Sequence, residues 1–294
     1  MTAPANTIAD KYRAIHDRIS AFLAEQDGAS FREDVWNYER GSGGGVTRVW
    51  ENSALIEKGG VNFSAIHGES LPQAAATAIK LPLGTPFFAT GVSLVIHPRN
   101  PHVPTIHMNI RYFETDDHWW FGGGIDLTPY VPVREEAVSF HSALKSLCED
   151  CGEDYAHHKK TCDEYFCIKH RNEMRGIGGI FFDHLRTVKN KHLDFTTALG
   201  NAFNDIYAPL ISANRDKTFA DRQRDFQLFR RSRYVEFNLV YDRGTLFGLQ
   251  SGGRIESILM SLPAIAHWRY DWTPEPGTPE HELTTVFLQP HDWA

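Results

Sequence analysis

From Gly91 to Arg111 two alternating runs flank a loop with three prolines: Gly-Val-Ser-Leu-Val-Ile-His before it and Thr-Ile-His-Met-Asn-Ile-Arg after it. A strand sends every second side chain to the same face. Ser93, Val95 and His97 therefore share one face of the first strand, and His107, Asn109 and Arg111 one face of the second. Met108, Ile110 and Tyr112 then point the other way, into a core. An antiparallel strand with one solvated face carries ordinary polar residues there. Here a proton carrier, an amide and a fixed cation alternate, the lining of a cavity.

The chain has 294 residues, 41% of them hydrophobic, enough for one large core. Its formal charge of −7 argues against nucleic acid as a partner, because that affinity rests on neutralising phosphates. Arg222, Arg224, Arg230, Arg231 and Arg233 run against this balance; beside Asp221 and Asp225 they read as a solvated helix face. The N-terminus has no charged segment followed by an apolar one, so no secretory signal is expected. The most apolar stretch, Leu81 to Ile96, is broken by two prolines, two glycines and Ser93, and cannot span a membrane. Four cysteines without a signal point to reduced thiols in the cytoplasm. Cys148-x-x-Cys151 with Cys162 and Cys167 admits a zinc reading. Ala137, Phe140, Leu144, Leu147, Cys148 and Cys151 nevertheless fall at helical spacing, and a buried stripe is the stronger reading.

Ile8, Tyr12, Ile15, Ile19 and Phe22 mark a first helix ending before Asp27-Gly28. β segments follow, among them Val46 to Trp50 and Val61 to His67, with a glycine-rich hairpin or lid at Gly43–Gly45 that lacks the lysine of a phosphate loop. Strands at 91–97 and 105–114 precede a glycine-rich one, Trp119 to Thr128. Helices are expected at 134–150, 156–175, 195–212 and 216–229. A hairpin is expected from Arg233 to Gln250, turning at Asp242–Thr245. Ser251–Arg254 then opens a helix, Ile255 to Ser261, and a short helix follows Glu280. Strands that come in hairpin-like pairs with helices grouped between them predict an α+β fold. Its expected form is one domain with a large antiparallel sheet and helices on its faces.

His97, His107, His141 and His170 each sit among apolar or aromatic residues, the usual surroundings of a satisfied core histidine. An iron site of the two-His-one-carboxylate type would place a carboxylate where Asn109 stands, which counts against it. Arg111 offers a planar fork for a carboxylate. The Ser251–Arg254 turn offers free N–H groups at a helix start, although a plain glycine-containing entry is common there. Arg111 and Arg254 together suggest a substrate with more than one carboxylate. Asp242 reads as a turn former or as an acceptor for ligand N–H groups. No flavin or nicotinamide fingerprint, nucleophile elbow or His-Glu-x-x-His motif is found.

Five strings carry a resemblance. They are His-Met-Asn-Ile-Arg-Tyr-Phe-Glu (107–114), Trp-Trp-Phe-Gly-Gly-Gly-Ile-Asp-Leu-Thr-Pro (119–129), and Lys-His-Arg-Asn-Glu-Met-Arg-Gly-Ile-Gly-Gly (169–179). The others are Tyr-Val-Glu-Phe-Asn-Leu-Val-Tyr-Asp-Arg-Gly-Thr (234–245) and Gly-Gly-Arg-Ile-Glu-Ser-Ile-Leu-Met-Ser-Leu-Pro (252–263). They closely resemble the oxygen-dependent coproporphyrinogen III oxidases of haem biosynthesis. The resemblance implies conversion of two propionates of coproporphyrinogen III to vinyl groups, consuming O2 and releasing CO2, to give protoporphyrinogen IX. It implies a large flat antiparallel sheet with helices on both faces, and a homodimer with its interface from about Tyr234 to Arg269. It assigns His107 as proton donor and Ser93, Asn109, Ile110, Arg111, Gly252, Gly253 and Arg254 to the substrate site. His97, His107, His141 and His170 are associated with a divalent metal, and no organic cofactor is implied. Asp242 is expected to hold the pyrrole N–H groups and to help deprotonate one. A tetrapyrrole carrier that binds without reacting, and a metal-dependent dioxygenase built on the histidines, are the rival readings.

Overall fold

Seven antiparallel strands form the main sheet. They are β1 (Arg32–Asn37), β2 (Gly41–Glu51), β3 (Ile56–Gly68), β4 (Phe87–Pro98), β5 (Thr105–Glu114), β6 (Trp119–Thr128) and β9 (Gly179–Leu185). Their order is β1-β2-β3-β4-β5-β6-β9, a meander whose last place is taken by a strand returning from later in the chain. The computed structural model describes residues 4–250 and 253–294, apart from 72, 74, 75, 77–81 and 83. A two-stranded hairpin, β7 (Cys167–Ile168) with β8 (Glu173–Met174), stands apart from the sheet. The helices are α1 (Ala5–Asp27), α2 (Arg134–Asp150), α3 (Tyr155–Tyr165), α4 (Lys189–Asn214), α5 (Asp221–Val240), α6 (Arg243–Gln250), α7 (Ile255–Leu259) and α8 (Pro279–Glu282).

The alternation in β5 decides which side of the sheet is core. Ile106, Met108, Ile110 and Tyr112 are buried, while His107, Asn109 and Arg111 are only half-buried. α1 and α4 cover the apolar side with Ile8, Tyr12, Ile15 and Ile19 from one helix and Phe195, Leu199, Phe203 and Tyr207 from the other. Side chains of this size each contribute about 1.5–3 kcal/mol on full burial. Tyr12 Oη donates to Thr196 Oγ1 at 2.9 Å and Tyr207 Oη to the Pro104 carbonyl at 2.9 Å, so their polar ends are satisfied within the layer. α1 ends where expected, at Gly28, whose φ of 74° is left-handed.

α5 and α7 lie against the opposite side. Tyr234 packs edge-on to His97, and Ser257 Oγ lies 2.8 Å from Thr47 Oγ1. Helices therefore cover both sides of the sheet, and its class is the α+β arrangement expected.

Three local expectations are corrected. The hairpin placed at Arg233–Gln250 is helical: Arg233 to Val240 continues α5, and Asp242 opens α6. Phe226, Phe229, Arg230, Arg233, Tyr234 and Phe237 recur at spacings of three and four, so this run fits both periods, and packing against the sheet selects the helix. The helix expected over 156–175 stops at Tyr165, and the chain beyond it forms the β7–β8 hairpin, turned at Asn172 with a φ of 52°. Most of the arginine face is not solvated, although Arg222 at its start is exposed. Arg230, Arg231 and Arg233 are buried, Arg231 and Arg224 pairing with Glu57 of β3 and Arg230 and Arg233 with Glu173 of β8. Burial works to raise the Glu57 carboxyl, but the two guanidinium groups outweigh it and hold it below the usual range. All four cysteines are free; Cys148 sits on the buried stripe of α2 with Ala137, Phe140 and Leu144.

Candidate active site

The register sets the contents of the half-open side. Asp34, Thr47, Asn62, Ser93, Asn109 and Gly124 face one another strand to strand in a single line across the sheet. The next line on one side holds Val95, His107 and Asp126, and on the other Gly91, Arg111 and Gly122. Gly122 and Gly124 bring no side chain of their own to this face; Arg111 and Asp183 close over the first, and the Phe181 ring approaches the second.

His107 keeps 19% of its side chain exposed on this face, whereas His97 is fully buried. Its Nδ1 lies 2.8 Å from Oδ1 of Asp126, the residue directly opposite on β6. Asp126 is 1% exposed and accepts from Arg175 Nη2 through both oxygens at 2.8 Å. Burial works to raise the Asp126 carboxyl; the Arg175 charge and the His107 hydrogen bond prevail and hold it below its ordinary value. Arg175 is itself enclosed, its guanidinium 4.2, 4.3 and 4.8 Å from the ring centres of Phe166, Tyr234 and Phe237.

Two further arginines border the face. Arg111 Nη2 lies 3.0 Å from Asp183 Oδ1 on β9, and Arg243 at the start of α6 lies 3.6 Å from Asp183 Oδ2. The first pair spans β6 over Gly122, where a Cβ would sit 2.8 Å from both Arg111 Nε and Asp183 Oδ1. A larger residue there would have to displace one or both of these side chains. Arg254 pairs with Asp34 on β1, at the other edge of the sheet. The segment from Arg243 to Ser257 thus has one end tied to β9 and the other to β1 and β2.

Asp242 caps α6. Its Oδ2 accepts from the Thr245 N–H at 2.7 Å and the Thr245 hydroxyl at 2.8 Å, and its Oδ1 accepts from Tyr165 Oη at 2.8 Å. Burial alone would raise this carboxyl, but the Tyr165 and Thr245 hydrogen bonds lower it, with a further contribution from His107. Asp242 is therefore a held anion within the field of His107 (its turn is a helix cap, not a hairpin). A carboxyl with a lowered pKa accepts hydrogen bonds well and takes up protons poorly at neutral pH.

The remaining assignments divide. Ser93 and Asn109 share the line described above, and Asn109 Oδ1 accepts from Arg111 Nη1 at 3.0 Å. Ile110 points into the core, fully buried, so its side chain cannot line the site. Gly252 lies outside the described residues; Gly253 donates its N–H to the Gly248 carbonyl at 2.8 Å. The helix after it, α7, is only five residues long.

The four histidines associated with a metal do not converge, and both ring nitrogens of three of them are committed to protein partners. His97 is held by Thr105 and the Ser261 carbonyl, His141 by Tyr155 and the Ile177 carbonyl, and His170 by Tyr241 and Glu236. Burial pushes His141 down to about 3 and His97 well below its usual range. Among the described residues no group of three or more His, Cys, Asp or Glu side chains could hold a metal ion. The residues present do not fit the metal. A cleft of about 1050 Å³ between α2, α3 and the C-terminus shares no residue with the polar face, and its Lys159 and Asp163 pair with each other.

The sequence that builds this face has known relatives. The family described as coproporphyrinogen III oxidase matches residues 7–293. The chain belongs to this family. It is 50% identical to the oxygen-dependent coproporphyrinogen-III oxidase of Dictyostelium discoideum, an alignment covering 97% of this chain and 93% of that protein. Its activity is accordingly the oxygen-dependent oxidation of coproporphyrinogen III, the rivals of a passive carrier and a histidine-ligated dioxygenase giving way to it. No helix among the described residues is long and apolar enough to cross a membrane.

Sequence reasoning missed Asp126, Arg175, Tyr165, Asp183 and Arg243. For Asp126 a signal was available. It shares the parity of Gly122 and Gly124, so a carboxylate had to emerge on the same side of β6 as these glycines.

Proposed function

We propose that coproporphyrinogen III lies on the polar side of the sheet, its pyrrole N–H groups accepted by Asp242 and its propionates taken by Arg111, Arg243 and Arg254. The observation that carries this reading is the shared face of His107, Asn109 and Arg111, with the held Asp242 carboxylate in the field of His107. The substrate is a flexible apolar ring carrying several acids and several N–H donors. It needs an uncrowded floor, cations at the rim and an anion near the centre, and each is supplied by a different element of this face.

Each propionate, R–CH2–CH2–COO⁻, becomes R–CH=CH2 with loss of CO2; O2 takes the hydrogen and, with one proton, leaves as H2O2. One proton must therefore be supplied per vinyl group formed. The electron-rich pyrrole reacts first with O2, and the peroxide formed removes the propionate hydrogen. Asp242 stabilises positive charge as it builds on the pyrrole and orients the N–H. The Asp242 carboxyl is held low, which favours this accepting role over that of a strong base. His107 supplies the proton, as the imidazole of this face that is bonded to Asp126 through Nδ1 and keeps part of its side chain exposed.

Among the described residues, several exposed large apolar side chains lie in one stretch of the chain: Leu239, Val240, Phe247, Leu249, Ile255, Ile265 and Trp268. This concentration supports a homodimer interface within the stretch from Tyr234 to Arg269. Tyr234 and Phe237 at its start are buried within the subunit, so the contact surface begins after them. Four free thiols suit a reducing compartment, and we place the enzyme in the cytoplasm.

The test is anaerobic mixing of the protein with coproporphyrinogen III, followed by oxygen, with CO2, H2O2 and the porphyrin fluorescence of oxidised product measured together. The expected result is binding without product before oxygen, then two CO2 and two H2O2 per ring. Binding that oxygen does not convert to product would leave a carrier.

A further inference from the structure

The buried charges behind His107 have no role in the reaction so far described. Asp126 and Arg175 are 1% and 2% exposed, and an enclosed ion pair of this kind seldom adds net stability over an apolar pair of the same volume. What distinguishes it is a third member. The Asp126 oxygen that accepts from Arg175 also faces His107 Nδ1 at 2.8 Å, across the register position that joins β5 to β6. Arg175 is fixed in turn: Nη1 donates to Asn238 Oδ1 at 2.8 Å, and three aromatic rings enclose the guanidinium. The carboxylate cannot swing to another partner without leaving Arg175 unpaired.

We propose that Asp126, anchored by Arg175, is a positioning residue that fixes the tautomer of His107. An ionised carboxylate is acceptor-only, so the Nδ1 facing it must carry a proton in both charge states of the ring. Every proton His107 exchanges then passes through Nε2, on the ring edge away from Asp126. When the imidazolium gives the Nε2 proton to the oxygen-derived leaving group, the ring becomes the neutral Nδ1–H imidazole and Asp126 stays ionised. The next proton returns to the same atom. Without the anion, the neutral ring is free to place its single hydrogen on either nitrogen, and the reactive population falls. Phe166 packs edge-on to the His107 ring at 5.9 Å and limits its rotation, so the charge selects the tautomer and the packing selects the plane.

This inference rests on His107 being the proton mover, and the experiment separates the two. Asp126→Asn preserves shape and removes the charge. The expected loss in kcat is about 10²–10⁴-fold, with KM within about threefold. In the ¹⁵N spectrum of histidine-labelled protein, His107 should change from protonated at Nδ1 to a mixture of tautomers, while His141 and His97 stay as they were. In a His107→Ala background the same substitution should cost less than about twofold more, because one pathway has already been removed. If Asp126→Asn does not fold with Arg175 left unpaired, Asp126→Asn with Arg175→Met removes both charges and should show the same loss and the same spectral change. A folded Asp126 variant with near-normal kcat, an unchanged His107 tautomer or a full additional loss in the His107→Ala background each overturns the positioning role. Near-normal turnover in His107→Ala alone would instead overturn the reading of His107 as proton donor.

Discussion

Arg111 reaches over Gly122 to Asp183, Nη2 to Oδ1 at 3.0 Å, so a cation suited to a propionate already holds a carboxylate of its own chain. Arg243 shares that anion, and Arg254 has Asp34. The rim is therefore pre-ordered and nearly neutral, and an incoming acid must compete with resident ones. Burial works to raise the Asp183 carboxyl, but Arg111, His184 and Arg243 hold it low, so it remains a competitor at neutral pH.

Asp183→Asn removes that competitor. Because Arg111 is more than a third exposed, the pair is worth only about 1 kcal/mol after screening. KM should fall about fivefold with kcat no higher than before, read from steady-state rates at fixed oxygen. A KM that rises would mean Asp183 orders the arginines more than it blocks them.

Asp242→Asn should lower kcat by about 100-fold or more and change KM by less than about threefold, since the amide is a weaker acceptor and carries no charge. Asparagine is also a good helix cap, so α6 should keep its start and the melting temperature should stay close to that of the native protein. Near-normal turnover would remove Asp242 from the mechanism.

Exhaustive chelation should leave turnover intact, because the nitrogens of His97, His141 and His170 are already bonded to protein partners. Metal analysis alongside the rate provides the check. Loss of activity restored by one specific divalent ion would contradict the geometry.

Acid should unfold the protein in steps set by its buried histidines. Burial lowers His16 to about 4 and His141 to about 3, and holds His97 well below the usual range. In the unfolded chain each takes a proton near pH 6.5. Their contribution to stability is thus complete above that pH and is lost as the pH falls toward the folded values. The loss is about 1.4 kcal/mol per pH unit for each histidine. Denaturant midpoints between pH 7.5 and pH 4.5 should fall accordingly, and less steeply in His141→Gln. A flat profile would mean that these rings are protonated in the folded state.

Phe247→Asp with Ile265→Asp places charges in the exposed apolar stretch. Light scattering should read a dimer for the native protein and a monomer for the variant. Native protein that is monomeric at micromolar concentration would remove the interface.

Much of the site was legible in the chain because the pleat is a local rule. Once 105–114 is a strand, His107, Asn109 and Arg111 must share a face, and Ile110 must leave it. The stripe of α2 and the glycine stop of α1 were readable for the same reason, since helical period and left-handed glycine are properties of a few neighbouring residues. The run from Arg233 to Gln250 was not, because its residues satisfy both periods and the decision came from Tyr234 and Phe237 packing beneath the sheet. Charge pairing was the least legible. Arg231 meets Glu57 across 174 positions and Arg175 meets Asp126 across 49, so no local pattern could say which arginines would be buried. Sequence by itself determined the family, the antiparallel strands and the side of β5 that stays out of the core. Tertiary structure alone decided which anion each cation holds and that the four histidines stay apart, because those depend on distances between segments that the chain order leaves free.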